Sequence, residues 1–189
     1  MNSNQIKKEE KPYSPLLKKE PTAANMAFRY VAVALFILVI INAFARVIIF
    51  TPVHGTSMEP TYHPKQMLVT YTKTNPTNYE YGDIIVFRPS VPTESGPIVN
   101  YLIKRCVGVP GDVLEYDETS HRLVRNGTPL DETYIAKDAY ENGFEWELGK
   151  VVVPEDCLFL MGDNRNDSFD SRRIGPVPYT DVVGKVIGT

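Results

Sequence analysis

The chain has 189 residues, with 20 Lys and Arg against 23 Asp and Glu, and two cysteines. This length suits one domain plus an appendage, with a core that needs no disulfide or metal to hold it. Charge is unevenly placed: residues 1–50 carry seven Lys/Arg and three Glu, whereas residues 51–189 carry thirteen Lys/Arg and twenty Asp/Glu. An acidic globular part argues against nucleic acid as a partner.

The amino-terminal third predicts a membrane anchor. Residues 1–27 are polar and charged and are expected to form a disordered cytoplasmic tail. Residues 28–50 are apolar over about the length of a spanning helix, roughly 20 residues, if Arg29 and Arg46 extend to the two interfaces. Lysines are concentrated before this run, so the amino terminus is expected in the cytoplasm and residues 51–189 outside the cell membrane.

The apolar run of residues 28–50 has two other interpretations. A buried core helix is disfavoured, because sixteen uncharged residues (30–45) without a polar face are unusual in a protein of this size. A cleaved secretory signal is the stronger alternative, since Ala43-Phe44-Ala45 has the small-x-small form of a cleavage site. The preceding leader is long and mixed in charge for a signal, so a retained anchor is favoured.

Beyond residue 51 the pattern predicts one mostly antiparallel β domain. Short runs rich in Val, Ile, Leu, Phe and Tyr are separated by turn residues such as Pro110-Gly111 and Asn126-Gly127. No long amphipathic helix is expected in this part of the chain. The predicted strands cover residues 67–71, 83–87, 101–109, 112–116, 122–125, 151–153, 157–161 and 182–187.

A candidate nucleophile, Ser57, lies in the turn Gly55-Thr56-Ser57-Met58-Glu59-Pro60-Thr61 just after the apolar run. A serine hydroxyl needs a base to attack an amide, and histidine is the familiar one. The chain has three histidines, His54, His63 and His121, so the inventory leaves a histidine triad open. None of them lies in a recognisable companion motif.

Lysine can replace histidine as the base when burial among apolar groups lowers its pKa from about 10.4 and leaves it neutral. Lys104 lies in the apolar segment Tyr101–Val109, where a strand would place it on one face with Leu102 and Cys106. A lysine in such a strand is either desolvated or at a sheet edge, where protective lysines are common. These residues alone favour the sheet-edge alternative.

Four motifs follow the amino-terminal span and together cover most of the chain. They are Gly55 to Thr61, Gly82 to Arg88, Ile103-Lys104-Arg105 through Val109-Pro110-Gly111-Asp112, and Gly162-Asp163-Asn164-Arg165-Asn166-Asp167-Ser168-Phe169-Asp170-Ser171-Arg172. In this order they resemble the motifs of type I signal peptidases in their compact bacterial form, and a match of this extent is not expected by chance.

The resemblance implies a membrane-bound serine endopeptidase that removes signal peptides from exported pre-proteins after small-x-small sites. Ser57 would be the nucleophile and Lys104 the general base. Ser168 matches the serine that orients the lysine amine in this family. Asp170 and Arg172 match an ion pair that supports the same loop.

Further site residues follow from the same resemblance. Met58 and Ile103 match positions that line the substrate cleft, and Val53 is expected to join them. The backbone N–H of Ser57 would be one oxyanion donor. Some members have a second donor, a serine, at the position of Gly55, so the identity of the second donor stays open.

No cofactor and no metal are expected. The loop that contains Asp163 and Asp167 lacks the length and the glutamate of a calcium site. Cys106 and Cys157 lie in apolar strands and are expected to be buried thiols rather than a disulfide. The expected partners are signal peptides and cytoplasmic-membrane lipid, with the secretion translocon as a further candidate.

Two other functions were considered. A self-cleaving repressor-type peptidase would use the same dyad, but it would lack a membrane span and carry a DNA-binding helical domain. A catalytically inactive, membrane-anchored β module that binds secretory or envelope proteins is the alternative from a different class. The presence of Ser57, Lys104 and Ser168 together argues against it.

Overall fold

The computed structural model divides into two compact units, residues 1–42 and residues 43–189. Most of the tail predicted over residues 1–27 lies outside the described residues. The structure describes residues 22–45, 47–72, 78–90 and 101–187.

The apolar run forms one helix, α1, over Ala23–Ala45. The helix is displaced toward the amino terminus from the predicted span of residues 28–50, because Ile48–Pro52 forms a strand instead. A short β-branched apolar run fits a buried strand as well as a helix, so composition alone does not show where the helix ends and the strand begins. At about 1.5 Å per residue the 23 residues extend about 34 Å, enough to cross a bilayer core. The helix fits a single-pass anchor.

The second unit is built from short strands, as predicted, and its helices have at most six residues. Three of these strands were not predicted: Ile48–Pro52 falls mostly in the predicted span, and Thr128–Pro129 and Val177–Pro178 have only two residues each. The elements are β1 Ile48–Pro52, β2 Met67–Tyr71, β3 Ile84–Phe87, β4 Leu102–Gly108, β5 Val113–Asp117, β6 Arg122–Arg125, β7 Thr128–Pro129, α2 Lys137–Asn142, β8 Val151–Val152, β9 Cys157–Met161, α3 Ser171–Ile174, β10 Val177–Pro178 and β11 Val182–Val186.

The strands form two antiparallel sheets. The larger has seven strands in the order β1-β2-β11-β3-β4-β9-β10, and the smaller has four in the order β7-β6-β5-β8. The connection from β4 to β5 passes directly from the larger sheet to the smaller. The prediction of a mostly antiparallel β domain after one amino-terminal helix is confirmed.

Strand β4 is an internal strand of the larger sheet. It pairs with β3 from Leu102 to Arg105, and with β9 only from Arg105 onward. Although β9 begins to pair only at the next residue, just 2% of the Lys104 surface is exposed, so the expectation of a solvent-exposed protective lysine at a sheet edge is wrong. The desolvated alternative describes it correctly.

Apolar clusters pack on the larger sheet and between the two sheets. One cluster includes Val53, Met58 and Ile103. Another includes Cys106, whose thiol is free and whose pKa is raised to about 12 by burial. Cys157 is also a free thiol and is partly exposed. The prediction of thiols rather than a disulfide agrees with this arrangement.

Candidate active site

Ser57 and Lys104 meet at the centre of the site, although 47 residues separate them in sequence. Ser57 lies in the turn after β1, and Lys104 lies in β4. The Lys104 Nζ atom is 2.7 Å from Ser57 Oγ and 3.0 Å from the Ile103 carbonyl oxygen. The amine is thus held within hydrogen-bonding distance of the hydroxyl by the strand to which it belongs.

Burial lowers the pKa of Lys104 from 10.5 to about 8. The carboxylates of Asp170 and Asp163 oppose this effect, and the nearby Arg172 adds to it. Because desolvation disfavours the charged form, about a tenth of the amine is neutral at pH 7 and about half at pH 8. A neutral amine beside a serine hydroxyl can accept its proton.

The turn that carries Ser57 is tied to the loop after β9. Asn164 donates its backbone N–H to the Ser57 carbonyl at 3.1 Å and its side-chain amide to the Thr56 carbonyl at 3.3 Å. The Thr56 hydroxyl donates to Asp167 at 2.6 Å. These roles of Thr56, Asn164 and Asp167 were missed by sequence reasoning, since the motif gives residue types but not the partners 108 and 111 residues away.

Gly162 is where this loop comes closest to the nucleophile. A Cβ atom at this position would clash with Ser168 Oγ and with the Ser57 carbonyl oxygen, which would lie only 2.5 Å away. The Gly162 N–H donates to Asp170 at 3.0 Å. The absence of a side chain therefore allows the loop to lie directly against the Ser57 turn.

Asp170 and Arg172 form the predicted ion pair. The carboxylate accepts from Arg172 Nε and Nη2, both at 2.9 Å, and also caps α3 by accepting from the Arg172 N–H. Burial raises the pKa of Asp170, but the hydrogen bonds and charge of Arg172 outweigh this effect and leave the pKa below its usual range. The pair lies beside Lys104 and connects α3 to Gly162.

Ser168 lies next to Gly162, with its hydroxyl buried. Within the described residues its oxygen has no hydrogen-bond partner of normal geometry, although the hydroxyl contributes to lowering the pKa of Asp170. Among the described residues Ser168 therefore makes no hydrogen bond to Lys104. The orienting role of Ser168 stays a prediction.

The three residues predicted to bind substrate belong to one apolar cluster adjoining the site. Val53, Met58 and Ile103 are exposed by only 3%, 2% and 6%. Val53 and Met58 flank the Ser57 turn, and Ile103 precedes the lysine in β4. They leave little surface for a substrate side chain, and their binding role stays a prediction.

The histidines are engaged or placed elsewhere. His63 Nδ1 lies 3.2 Å from Glu59, and His121 lies 3.5 Å from the Tyr116 hydroxyl beside the smaller sheet. His54 is exposed. Among the described contacts of Ser57 the base is Lys104, so the histidine alternative has no geometric support.

Asp163 is neutralised by protein groups. Its carboxylate accepts from Arg105 Nε at 2.8 Å and Nη2 at 2.7 Å, and from the Thr61 hydroxyl. No group of three or more His, Cys, Asp or Glu side chains suited to a metal occurs in the part of the chain that is described. Asp163 holds the loop to β4 rather than offering a free ligand set.

Comparisons with known proteins identify the family. Residues 28–188 match the family model described as signal peptidase, peptidase S26. Signal peptidase I S of Bacillus subtilis strain 168 is 35% identical over 165 residues, covering 82% of this chain and 84% of that protein. Signal peptidase I of Bacillus amyloliquefaciens is 34% identical over 163 residues, covering 82% and 83%. The chain therefore belongs to the signal peptidase family, peptidase S26.

The resemblance to type I signal peptidases is confirmed by these relatives, and the chain is an enzyme of that group. A crystal structure of a signal peptidase I from Enterococcus faecalis V583 is also similar, at 31% identity and a TM-score of 0.44, covering 57% of this chain and 96% of that one.

Proposed function

We propose that this chain is a membrane-bound serine endopeptidase that removes amino-terminal signal peptides from exported pre-proteins, with Ser57 as nucleophile and Lys104 as general base. One observation carries the proposal: Lys104 is only 2% exposed, and its amine lies 2.7 Å from the Ser57 hydroxyl. Membership of the signal peptidase family supplies the class of substrate.

The chemistry proceeds in two steps. Ser57 Oγ attacks the scissile carbonyl carbon while Lys104 Nζ takes the hydroxyl proton. The tetrahedral oxyanion forms near the Ser57 N–H, and the lysine ammonium returns the proton to the leaving amine. Water, deprotonated by the same amine, then hydrolyses the acyl-enzyme. Ser168 orients the amine, and Asp170 with Arg172 supports the loop that carries it.

The substrate binds as an added strand along β4. Residues Leu102 to Lys104 pair with β3 on one side, whereas β9 pairs with β4 only from Arg105 onward. An extended peptide can satisfy backbone groups at such an edge. Small residues at −1 and −3 are required, because Val53, Met58 and Ile103 offer only a shallow surface.

Helix α1 anchors the enzyme in the cytoplasmic membrane as a single pass. The lysines that precede it favour a cytoplasmic amino terminus and an extracytoplasmic domain over residues 51–189. Lipid contact then falls to Phe50, which is 70% exposed, and not to Val53 or Met58, which are buried in the domain. The active site then lies where the cleavage junction of an exported protein emerges from the membrane. The secretion translocon is a further candidate partner.

The test is cleavage of a pre-protein or peptide with Ala-x-Ala at the junction, by wild type and by Ser57→Ala in membranes. Wild type is expected to cleave after the second alanine, and Ser57→Ala is expected to be inactive while its melting temperature and membrane association are unchanged. Cleavage by Ser57→Ala at an appreciable rate would remove Ser57 as the nucleophile. A wild-type chain that bound the peptide without cleaving it would instead favour the inactive β module.

A further inference from the structure

Glu132 is a buried carboxylate outside the four motifs, in the segment between β7 and α2. Only 1% of its surface is exposed. It accepts hydrogen bonds from Arg165 Nη1 at 2.8 Å, from Arg165 Nη2 at 2.6 Å and from the Tyr134 hydroxyl at 2.7 Å. Its negative charge is thus used almost entirely to hold Arg165.

Arg165 passes this restraint to the catalytic loop. Its Nε donates to the Gly162 carbonyl at 3.0 Å, and the Gly162 N–H donates to Asp170 at 3.0 Å. The Arg165 carbonyl accepts from Arg172 Nη2 at 2.6 Å. Gly162 is therefore fixed through its carbonyl by the Glu132–Arg165 pair and through its N–H by the Asp170–Arg172 pair.

Stability alone is a weak reason for such a pair. Desolvating two charges offsets much of their attraction, so a buried ion pair contributes little net stability compared with apolar residues of similar size. Geometry is a stronger reason, because a guanidinium presents its donors in a rigid planar fork. Here two donors bind Glu132 and the third reaches Gly162, so the carboxylate sets the direction in which the third points.

We propose that Glu132 is a positioning residue for the reaction: through Arg165 it fixes Gly162, and with it the packing of the loop against Ser57 and Lys104. The inference rests on the proposed function, since it assigns a role in the same hydrolysis. It extends the site to a segment of the chain that carries no recognisable motif.

The consequence reaches Lys104 through its surroundings. The charged groups that act on this amine are Asp170, Asp163 and Arg172, and all three lie in or just after the loop that Gly162 begins. A loosened loop admits water to the amine and weakens its desolvation, which is the largest influence on its pKa, so the pKa rises toward its usual value. The hydroxyl and the amine also lose their alignment, which affects kcat more than KM.

The experiment uses the full-length enzyme in membranes or detergent. The double variant Glu132→Gln/Arg165→Met removes both charges together and so avoids a buried unpaired charge. Its kcat is expected to fall about 10- to 100-fold with little change in KM, as for a small misplacement of reacting groups. The rising limb of its pH–rate profile is expected to move to higher pH. Arg165→Lys keeps a cation but lacks the Nε donor. It is also expected to lower kcat and to move the rising limb to higher pH.

The matched control is Asp112→Asn/Arg125→Met, which removes another partly buried ion pair, with a 3.0 Å contact, at the smaller sheet. This variant is expected to lose stability without any movement of the pH limb. Wild-type kcat and an unmoved limb in folded Glu132→Gln/Arg165→Met and Arg165→Lys would overturn the proposal. So would a rate loss that matches the unfolded fraction.

Ser57→Ala, assayed in parallel, distinguishes a failure of the proposed function from a failure of the positioning role. An active Ser57→Ala contradicts the proposed function itself. An inactive Ser57→Ala beside a fully active Glu132→Gln/Arg165→Met variant contradicts only the positioning role.

Discussion

At the scale of single residues, Lys104 is expected to determine how the rate responds to pH. Its pKa is lowered to about 8 by burial, and only the neutral amine accepts the Ser57 proton. The value of kcat/KM should therefore rise with pH along a limb near pH 8. A pH–rate profile on a short Ala-x-Ala peptide measures it.

The controls for this profile are substitutions of the base and of its rivals. Lys104→Arg should be as inactive as Lys104→Ala, because a guanidinium keeps its proton at any working pH. His54→Ala and His63→Ala should retain wild-type profiles. Activity in Lys104→Arg together with loss in either histidine variant would contradict the dyad.

The buried Lys104 amine should also lower the free energy of unfolding. Between the folded pKa of about 8 and the unfolded value near 10.5, the unfolded chain binds more protons, so stability rises with pH across that window. Below pH 8 the folded protein is destabilised by the full amount, roughly 3 kcal/mol by linkage. Lys104→Met, which removes the charge, should melt at a higher temperature than wild type at pH 7, and the difference should shrink by pH 10. A lower melting temperature for Lys104→Met at pH 7 would refute this prediction.

Gly162 provides a steric prediction. Gly162→Ala should reduce kcat by about 100-fold or more, since the new Cβ has to displace Ser168 or the Ser57 carbonyl. Gly127→Ala is the control: its Cβ meets open space, and its positive φ of 78° makes that substitution costly for the backbone alone. The two should lose comparable stability, measured by thermal melts, while only Gly162→Ala loses its rate.

The site is predictable from sequence only where local pattern carries it. Ser57 and Lys104 are identified through the family motifs, since a serine in a turn is common and a lysine in an apolar strand also fits a sheet edge. Glu132 does not stand out: it is one acidic residue among many in residues 51–189, and its meaning depends on a partner 33 residues away. The turn-holding role of Asn164 depends in the same way on contacts that only the fold creates.

At the scale of elements, β4 combines the base and the proposed substrate edge in one strand. Its apolar run predicted a strand within a residue at each end, but not its neighbours, and the neighbours decide whether Lys104 is hydrated. Strand β1 was assigned to the span because Ile48–Pro52 continues an apolar run without a break. Strand propensity is evident in such segments, whereas pairing partners are set by tertiary contacts.

The proposed edge of β4 has a specificity consequence. A peptide series with Ala, Gly, Ser, Leu or Phe at −1 should show kcat/KM falling about 100-fold or more from Ala to Leu and Phe, because a closely packed surface excludes the larger side chains. Met58 and Ile103, both nearly buried, form that surface. Equal values for Ala and Leu would contradict the shallow pocket. A Met58→Leu variant, of similar volume, should leave the order unchanged.

At the scale of the whole molecule, the helix and the β domain are separate compact units, and the anchor is expected to be retained. Intact-mass measurement of enzyme purified from membranes should give a chain that still includes α1. The reason is that the leader before α1 is long and mixed in charge for a signal, despite Ala43-Phe44-Ala45. A dominant species beginning at Arg46 would reverse the assignment of α1 as an anchor.

The hydrogen bond from Thr56 to Asp167 spans 111 residues of sequence. Contacts of such separation form late in folding, since a long loop has to close before they are made. A chain still being synthesised, with β1 to β8 already made, therefore has the proposed nucleophile and base but lacks the hydrogen bonds from Asn164 and to Asp167 that hold the Ser57 turn. The hydrolytic activity should switch on only when the final segment, from β9 onward, has docked, so that unfinished copies of the enzyme do not cleave the proteins around them.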